Sequence, residues 1–379
     1  MKILRFSWEN FRNLPSGGFS PSGRVNVLFG KNAQGKTNLL EAMWLFTGER
    51  SFRGAKDAEM LGPLPRETTL RLEFSGGGRQ QAAVIRFPEG RRRAELNGVP
   101  KRSCSALIGV FQAAVFSPEH LSLLQGGPAG RRGFVDAALS QLRPSYAALL
   151  AEYNRALSQR NALLKEIPRS PGLLDTLAVW DSRLVRGGEK ITAWRERYLE
   201  KISGPAERFY SGMCRGKEAL SLRYEASTRS FAEDLAACRG TDLLTGHTGV
   251  GPHRDDVGVL IDGKDARAYG SQGQKRSAVI AMKLAEAEIL TQESGETPVV
   301  FLDDVLSELD EERQSFLLEK LDGFQVFLTC CAPVPGFQSD TGLQQMTGSR
   351  TEAGGETGCA GFYVENGGLQ AVQEDCLKA

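Results

Sequence analysis

One run of eight residues near the N-terminus constrains the fold of this chain more than any other feature. The run fits the pattern G-x-x-x-x-G-K-[ST] and consists of Gly30, Lys31, Asn32, Ala33, Gln34, Gly35, Lys36 and Thr37. Apolar residues 25–29 before it predict a strand, and residues 38–47 after it predict a helix. In that setting the glycines let backbone N–H groups turn towards phosphate oxygens. The sequence therefore predicts an α/β fold that binds a nucleoside triphosphate.

The polar residues of this phosphate loop, residues 30–37, have distinct expected roles. Lys36 is expected to reach the β- and γ-phosphates, and the hydroxyl of Thr37 is expected to hold Mg²⁺. The next helix begins at Asn38, and its N-terminus adds the helix dipole to the anion site. Apolar residues 299–302 predict a strand that delivers Asp303 and Asp304 to complete the metal site.

Composition sets broad limits on the class of protein. A chain of 379 residues is long enough for two or three domains, and its net charge of +1 predicts no general affinity for nucleic acid. Its apolar runs are shorter than the roughly 18 residues that a membrane span needs. Seven cysteines without a paired pattern and an N-terminus unlike a signal peptide indicate a reducing cytosol.

Two long stretches differ in their hydrophobic period. Residues 68–102 alternate and contain tight turns, which predicts an antiparallel β-meander. Its basic cluster, Arg91 to Arg93, is either a phosphate-backbone contact or a solvated hairpin edge. Residues 128–210 instead repeat apolar side chains at i, i+3, i+4 and i+7, which predicts long helices whose aromatic residues belong to the core. We therefore expect a helical lobe inserted into the nucleotide-binding domain.

The expected division has three parts. They are residues 1–118 (N-terminal part of the head, with phosphate loop and meander), 119–215 (inserted helical lobe) and 216–379 (C-terminal part of the head).

The C-terminal part contains a second candidate anion site. Residues 271–274, Ser-Gln-Gly-Gln, precede a strong helix predicted over 277–292, and a small-residue loop that opens a helix can bind phosphate. Residues 326–329 predict a strand next to 299–302. Beyond Pro335 the composition predicts a loop, until residues 361–364 predict one last strand.

Several motifs together resemble the heads of ABC-type ATPases, and within them the SMC-like heads that serve DNA repair. Residues 271–274 are similar to their signature motif, Asp303-Asp304 to their Walker B pair, and residues 307–310 to their D-loop. Further stretches narrow the resemblance, over residues 1–332, to the RecF family of DNA replication and repair proteins. They are residues 10–13 (NFRN), 116–121 (FSPEHL), 153–155 (YNR), 159–161 (QRN), 251–256 (GPHRDD) and 302–310 (LDDVLSELD).

The resemblance implies an ABC-type head with a mixed sheet, an antiparallel β-subdomain and an inserted α-helical lobe. In such families two heads dimerise face to face around two ATP molecules. Lys36 and Thr37 of one copy would hold ATP and Mg²⁺, and Ser271, Gly273 and Gln274 of the other copy would cover the same nucleotide.

The resemblance also implies catalytic roles. The expected catalytic residues are Lys36, Asp303 and Asp304. Asp303 would bind Mg²⁺ together with Thr37. Asp304 stands where most ABC ATPases have a glutamate that polarises the attacking water, and its shorter side chain predicts slow hydrolysis. Arg12 is expected near the nucleotide, and Thr329 stands where many ABC ATPases have a histidine.

The function implied is an ATP-dependent, DNA-binding clamp of recombinational repair and replication-gap processing, linked to the SOS response. ATP would join two heads around DNA at gaps or single/double-strand junctions, largely independently of sequence, and hydrolysis would release it. RecO and RecR mediators would be its partners in loading the RecA recombinase, in the cytoplasm at the nucleoid and without a membrane.

Two alternatives stay open at this point. One is the ATPase subunit of a membrane transporter, which the large helical insertion disfavours. The other is a nucleotide-gated scaffold that does not need hydrolysis.

Two individual residues are assigned by weaker signals. Gln112 is a candidate for the glutamine that senses Mg²⁺ in ABC ATPases. His253 lies beside Arg254 and the pair Asp255-Asp256, but with three histidines in the chain a structural or dimer-facing role is favoured over a metal site.

Overall fold

The computed structural model describes residues 1–331 and 359–372. The strands are β1 (Lys2–Phe11), β2 (Leu14–Phe19), β3 (Val25–Phe29), β4 (Thr69–Gly76), β5 (Arg79–Arg86), β6 (Arg93–Leu96), β7 (Val99–Lys101), β8 (Ala113–Phe116), β9 (Leu220–Glu225), β10 (Asp256–Ile261), β11 (Lys264–Asp265), β12 (Val299–Leu302), β13 (Val326–Cys330), β14 (Cys359–Glu365) and β15 (Gly368–Val372). The α-helices are α1 (Lys36–Trp44), α2 (Pro118–Leu121), α3 (Pro128–Leu142), α4 (Pro144–Glu166), α5 (Leu177–Cys214), α6 (Phe231–Ala237), α7 (Arg239–Thr245), α8 (Ala266–Tyr269), α9 (Gln272–Ser294) and α10 (Glu311–Lys320).

A six-stranded, mainly parallel sheet forms the centre of the head. Its strand order is β15-β14-β3-β13-β12-β8, and only β15 runs antiparallel to its neighbour. Both faces are covered, so its strands are almost continuously apolar. In β12, for example, Val299 and Phe301 face one hydrophobic core, whereas Val300 and Leu302 face the other. The carboxyl ends of β3, β8, β12 and β13 therefore meet at one edge of the sheet.

The expected antiparallel subdomain is a second six-stranded sheet, in the order β2-β1-β4-β5-β6-β7. Burial alternates along β4, as the period of two in its sequence predicts. The apolar side chains of this sheet and of α1 share one core with the central sheet. The predicted meander over residues 68–102 is confirmed.

The helices predicted between residues 128 and 210 are α3, α4 and the 38-residue α5. Helix α5 packs between α4 and α9, and its buried stripe includes Leu184, Ile191 and Tyr198. Close packing explains the second glycine of the pair Gly187-Gly188 in this helix, because a Cβ at Gly188 would lie 2.4 Å from the ring of Phe231. The apolar stripe therefore forms core, as expected.

Buried and partly buried ion pairs join the helical lobe to the three-stranded sheet β11-β10-β9 and to helix α7. Arg131 donates from Nε and Nη2 to the two carboxylate oxygens of Asp256, both at 2.8 Å. Arg160, which is fully buried, pairs with Asp242 at 2.7 Å. His253 bonds to the hydroxyl of Tyr153 at 2.7 Å through Nδ1, and burial lowers the pKa of its ring. This environment fits the structural role expected for His253.

Three sequence predictions concern the C-terminal part of the chain. Helix α9 begins at Gln272 and not at Ser277, because Ser271 caps it. The strand predicted over 361–364 lies within β14, which pairs in parallel with β3. The loop expected after Pro335 falls largely on residues 332–358, outside the described ranges.

Among the helices within residues 1–331 and 359–372, none has both the length and the apolar character needed to cross a bilayer.

Candidate nucleotide site

The phosphate loop follows β3 directly and turns on two glycines. Gly30 and Gly35 have φ of 148° and 112°, a region that side chains with a Cβ rarely adopt. A Cβ at Gly30 would lie 2.3 Å from the carbonyl oxygen of Val364, and one at Gly35 would lie 2.7 Å from Leu14. The backbone path of the loop therefore requires glycine at both positions.

Lys36 is the first residue of α1, and its side chain is turned back over the loop. Its Nζ donates to the carbonyl oxygens of Gly30 and Lys31, the latter at 2.9 Å. The residue is only 8% exposed. Within the described ranges, Lys36 forms no ion pair with a carboxylate. A buried ammonium held only by carbonyl oxygens fits a site for an anion such as phosphate.

The two threonines of the predicted site meet at Asp303. The hydroxyls of Thr37 and Thr329 donate to the same carboxylate oxygen, Oδ1, at 2.8 and 3.0 Å. Burial raises the pKa of Asp303, and the two hydroxyl donors oppose that shift. Hard oxygen donors of this kind fit Mg²⁺, which is usually held by one or two protein oxygens together with phosphates and water. No cluster of three or more His, Cys, Asp or Glu side chains suited to a metal occurs in the part of the chain that the structure describes.

Asp304 lies beside this group with its backbone in the left-handed region, at φ 52°. Its N–H donates to the hydroxyl of Thr329 at 2.9 Å. Its own carboxylate accepts from Ser307 at 3.2 Å. Thr329 therefore connects the two adjacent aspartates, one buried and one at the surface of the site.

These residues border a cleft of about 490 Å³. Its lining is Arg12, Asn13, Asn32, Ala33, Gly35, Lys36, Thr37, Asn38, Arg53, Glu59, Asp304 and Thr329. The guanidinium of Arg12 lies here but already donates to buried Glu41, at 2.5 and 2.9 Å. Gly30, Lys31, Gln34 and Asp303 do not line the cleft.

Sequence reasoning missed three lining residues, Asn13, Arg53 and Glu59. Asn38 connects two of them, because it donates to Asn13 at 2.7 Å and accepts from Arg53 at 3.0 Å. The position of Asn13 directly after Arg12 was an available signal. The sequence pattern held no comparable signal for Arg53 or Glu59.

The signature loop, residues 271–274, lies on a different surface. Ser271 and Gln274 form a reciprocal capping box at the start of α9, and Ser271 is exposed. Ser271, Gly273 and Gln274 line a second cleft, which shares no lining residue with the first. A single chain therefore does not bring the signature residues to the phosphate loop.

The D-loop residues are tied to the signature helix. Arg276 of α9 donates to the carbonyl of Glu308 at 2.8 Å, and Arg313 of α10 donates to Ser277 at 2.7 Å. Asp310 caps α10 by accepting from the N–H of Arg313, which lowers the pKa of Asp310. The signature loop and the D-loop therefore share one connected surface.

The assignment of Gln112 to a Mg²⁺-sensing role is wrong. Its carbonyl accepts from the N–H of Val299, at the start of β12, whereas the N–H of Asp303 bonds to Phe116 at the other end of the strand pair. Its side chain donates to the carbonyl of Gln141. Four residues of strand separate Gln112 from the edge where Asp303 lies, about 13 Å at 3.3 Å per residue.

Comparisons with known proteins agree with this geometry. A scan against protein-family models found no match. The chain is 38% identical over 355 residues to DNA replication and repair protein RecF of Lachnoclostridium phytofermentans, covering 93% of this chain and 96% of the relative. It is 36% identical over 377 residues to RecF of Agathobacter rectalis, covering 99% and 100%.

Solved structures give the same result. The recombination mediator protein RecF-ATP in the RecFOR pathway is similar to this chain with a TM-score of 0.86 and 33% identity, covering 98% of both chains. An Smc head bound to the C-terminal winged-helix domain of ScpA has a TM-score of 0.56 at 14% identity, covering 100% of both chains, which shows a shared fold alone. The expected ATPase-head fold is confirmed.

Proposed function

The chain belongs to the RecF family of DNA replication and repair proteins, and we propose that it binds ATP with Mg²⁺ in the cleft above the phosphate loop. Lys36 would leave its carbonyl partners for the phosphates, and the N–H groups of the loop would surround them. Thr37 and Asp303 would hold Mg²⁺, which supplies charge neutralisation when bound. Arg12 and Asn38 would border the nucleotide, and Thr329 would hold both aspartates in place.

A second copy of the chain would complete the site. One observation carries this step: the signature and phosphate-loop residues line separate clefts of the same chain. Ser271 presents an exposed helix N-terminus, which is suited to an anion. Face-to-face pairing would place Ser271, Gly273 and Gln274 of one copy over the phosphates held by the other. Residues 1–118 and 216–379 would form the head, and 119–215 the lobe.

The dimer would act as a clamp on DNA. If ATP binds the dimer better than the monomer, ATP and DNA stabilise the same state by linkage. With a net charge of +1, the DNA contacts must come from local basic surface, mainly to phosphates, with little sequence preference and a steep salt dependence. A solved relative from the RecFOR pathway supports RecO and RecR as partners. Recombinase loading at gaps, in the cytoplasm, is the role that we propose for this assembly.

Hydrolysis would reset the clamp slowly. Positioning and charge neutralisation supply most of phosphoryl-transfer catalysis. Asp303 follows β12 and accepts from Thr37 at 2.8 Å, and Lys36 would turn from the loop carbonyls to the phosphates. Asp304 would orient the attacking water, but its carboxylate accepts from Ser307 and is one methylene shorter than a glutamate. Membership of the RecF family disfavours a transporter subunit. A scaffold without required hydrolysis stays as an outcome of experiment.

Sedimentation with and without ATP and Mg²⁺ tests the proposal. The wild type is expected to be monomeric alone and dimeric with ATP. The Ser271→Arg variant should bind ATP within about twofold of wild type, since the phosphate-loop cleft of the same chain is unchanged. It should nevertheless stay monomeric. Ser182→Arg, at an exposed serine of α5, is the matched control and should dimerise normally.

Four outcomes would contradict parts of the proposal. A permanent dimer without ATP, or a Ser271→Arg variant that dimerises as the wild type does, removes the shared site. If the Asp304→Asn variant and the Lys36→Met variant both bind DNA as the wild type does, the clamp mechanism is wrong. If ATP turnover is unchanged in both variants, these residues do not catalyse hydrolysis, and the scaffold without required hydrolysis is the better hypothesis.

A further inference from the structure

The last described segment of the chain touches the phosphate loop from outside the cleft. This C-terminal hairpin, β14 and β15 over residues 359–372, extends the central sheet beside β3. Its turn holds Gln34 at two points: the N–H of Asn366 donates to Oε1 of Gln34 at 2.7 Å, and the N–H of Gly367 donates to its carbonyl oxygen at 2.9 Å. These contacts explain why Gln34 does not line the cleft.

Steric contacts also restrict the turn of the hairpin, at residues 366–367, where it meets the turn at residues 12–13. Gly367 has φ of 75°, and a Cβ there would lie 2.1 Å from the carbonyl oxygen of Asn13. The Asn13 side chain in turn donates to the carbonyl of Ala33 at 3.3 Å and accepts from Asn38. The outer side of the phosphate loop is therefore held between two turns, one at residues 12–13 and one at residues 366–367.

We propose that the C-terminal hairpin is a positioning element for nucleotide binding, with Gln34 as its point of attachment. The proposal rests on the proposed function, because it concerns the same ATP site. A loop that is already fixed in its phosphate-binding conformation loses less conformational entropy when the nucleotide binds. Gln34 acts through the hairpin, whereas its neighbours Ala33 and Gly35 face the cleft directly.

A pair of matched glycine substitutions tests this inference. The turn at Asn97-Gly98 has nearly the same backbone, with φ of 51° and 78°, but a Cβ at Gly98 would meet nothing within 4 Å. Gly367→Ala and Gly98→Ala therefore carry similar backbone strain, and only Gly367→Ala displaces the turn from the loop. ATP affinity is measured by titration with a fluorescent ATP analogue, and folding by thermal unfolding without nucleotide.

Gly367→Ala is expected to weaken ATP binding about tenfold, the order that one or two lost hydrogen bonds would give. Gly98→Ala should bind ATP as the wild type does. In a steady-state ATPase assay, Gly367→Ala should keep the wild-type kcat, whereas its KM for ATP should rise. The reason is that only binding common to the ground and transition states is lost.

Equal ATP affinity in the two glycine variants would overturn the inference, and so would a loss of kcat without a change in KM. If Gly367→Ala does not fold, Gln34→Ala takes its place. A severalfold loss of ATP affinity is then expected, and an unchanged ATP affinity would contradict the inference. The dimer test with Ser271→Arg is independent, so failure of the hairpin inference leaves the shared site intact.

Discussion

The two halves of the proposed ATP site are built in different ways. The phosphate-loop half is buried, with Lys36, Asp303 and Thr329 exposed by 8%, 4% and 3%. The signature half is open, with Ser271 exposed and the nearby Tyr269 exposed by 77%. The first half depends on the register of parallel strands that are distant in sequence. The second half contains helix caps between residues three apart, and the contacts of Arg276 with Glu308 and of Arg313 with Ser277 join them into one surface.

This difference has an energetic consequence. In the buried half, functional groups are desolvated, so function and folding stability compete at the same residues. In the open half, the same chemical groups face water and contribute little to either until a partner covers them. Substitutions in the first half should therefore change ATP affinity and stability in a single chain. Those in the second should change dimerisation and only slightly alter stability.

The largest effect is expected for Lys36→Met. Removal of the ammonium eliminates charge-assisted contacts to phosphate worth about 1.5–3 kcal/mol each, so ATP affinity should fall by roughly 100-fold or more. Lys275 directly follows the signature loop, in the first turns of α9. Lys275→Met removes the same charge and should leave ATP binding by a single chain unchanged. The measurement is titration of each variant with a fluorescent ATP analogue. Equal affinities in the two variants would erase the distinction between the halves.

Asp303→Asn should produce two effects of opposite sign. ATP hydrolysis should fall by about 100-fold or more because the metal ligand is weakened. The nucleotide-free protein should become more stable at pH 7, by roughly 0.5–2 kcal/mol, since a desolvated carboxylate is removed. Chemical denaturation of the nucleotide-free protein and a steady-state ATPase assay check the two parts.

The pH dependence of that stability follows from the raised pKa of Asp303. Between the ordinary value and the higher folded value, the folded protein keeps a proton that the unfolded chain has lost. Stability therefore falls as pH rises through this range, and Asp303→Asn should remove the fall. Asp304→Asn is the control, because Asp304 is only partly buried. Equal stabilisation by both substitutions would show that burial is not the cause.

Local patterns were enough to predict most of the elements. The apolar run over 25–29, followed by glycine, predicted strand and loop, and the alternation over 68–102 predicted the meander. These signals work because each is set by neighbours within a few residues. The start of α9 was misplaced by five residues because the capping role of Ser271 was not taken as a helix start.

Contacts across the sheet could not be predicted in the same way. Gln34 and Asn366 are 332 residues apart, and their hydrogen bond exists because β14 inserts beside β3. Gln112 was a candidate for the Mg²⁺-sensing glutamine, but it directly precedes β8 and so lies at the end of the strands opposite to Asp303. Register and strand order, which arise from the whole core, decide such questions.

The smallest effect is expected for Asp310→Ala, in the open half. Asp310 caps α10 by accepting from the N–H of Arg313 at 3.0 Å, and loss of an N-cap costs about 1 kcal/mol or less at so exposed a site. Because its pKa is lowered in the folded protein, this contribution is present above the ordinary aspartate pKa and is lost as pH falls through the folded value. ATP binding by a single chain should be unchanged.

Asp310→Asn is the matched variant, since asparagine caps helices about as well as aspartate. Its stability at pH 7 should lie within a few tenths of a kcal/mol of wild type, and chemical denaturation at pH 7 and near pH 3 would show the difference from Asp310→Ala. Folding stability is therefore expected to depend on pH in opposite directions at Asp303 and Asp310. Folding removes the Asp303 carboxylate from water, whereas it leaves the Asp310 carboxylate in water with hydrogen-bond donors. A fall in stability with rising pH at both positions would mean that the signature half is also desolvated in the single chain, and the contrast between the halves would not hold.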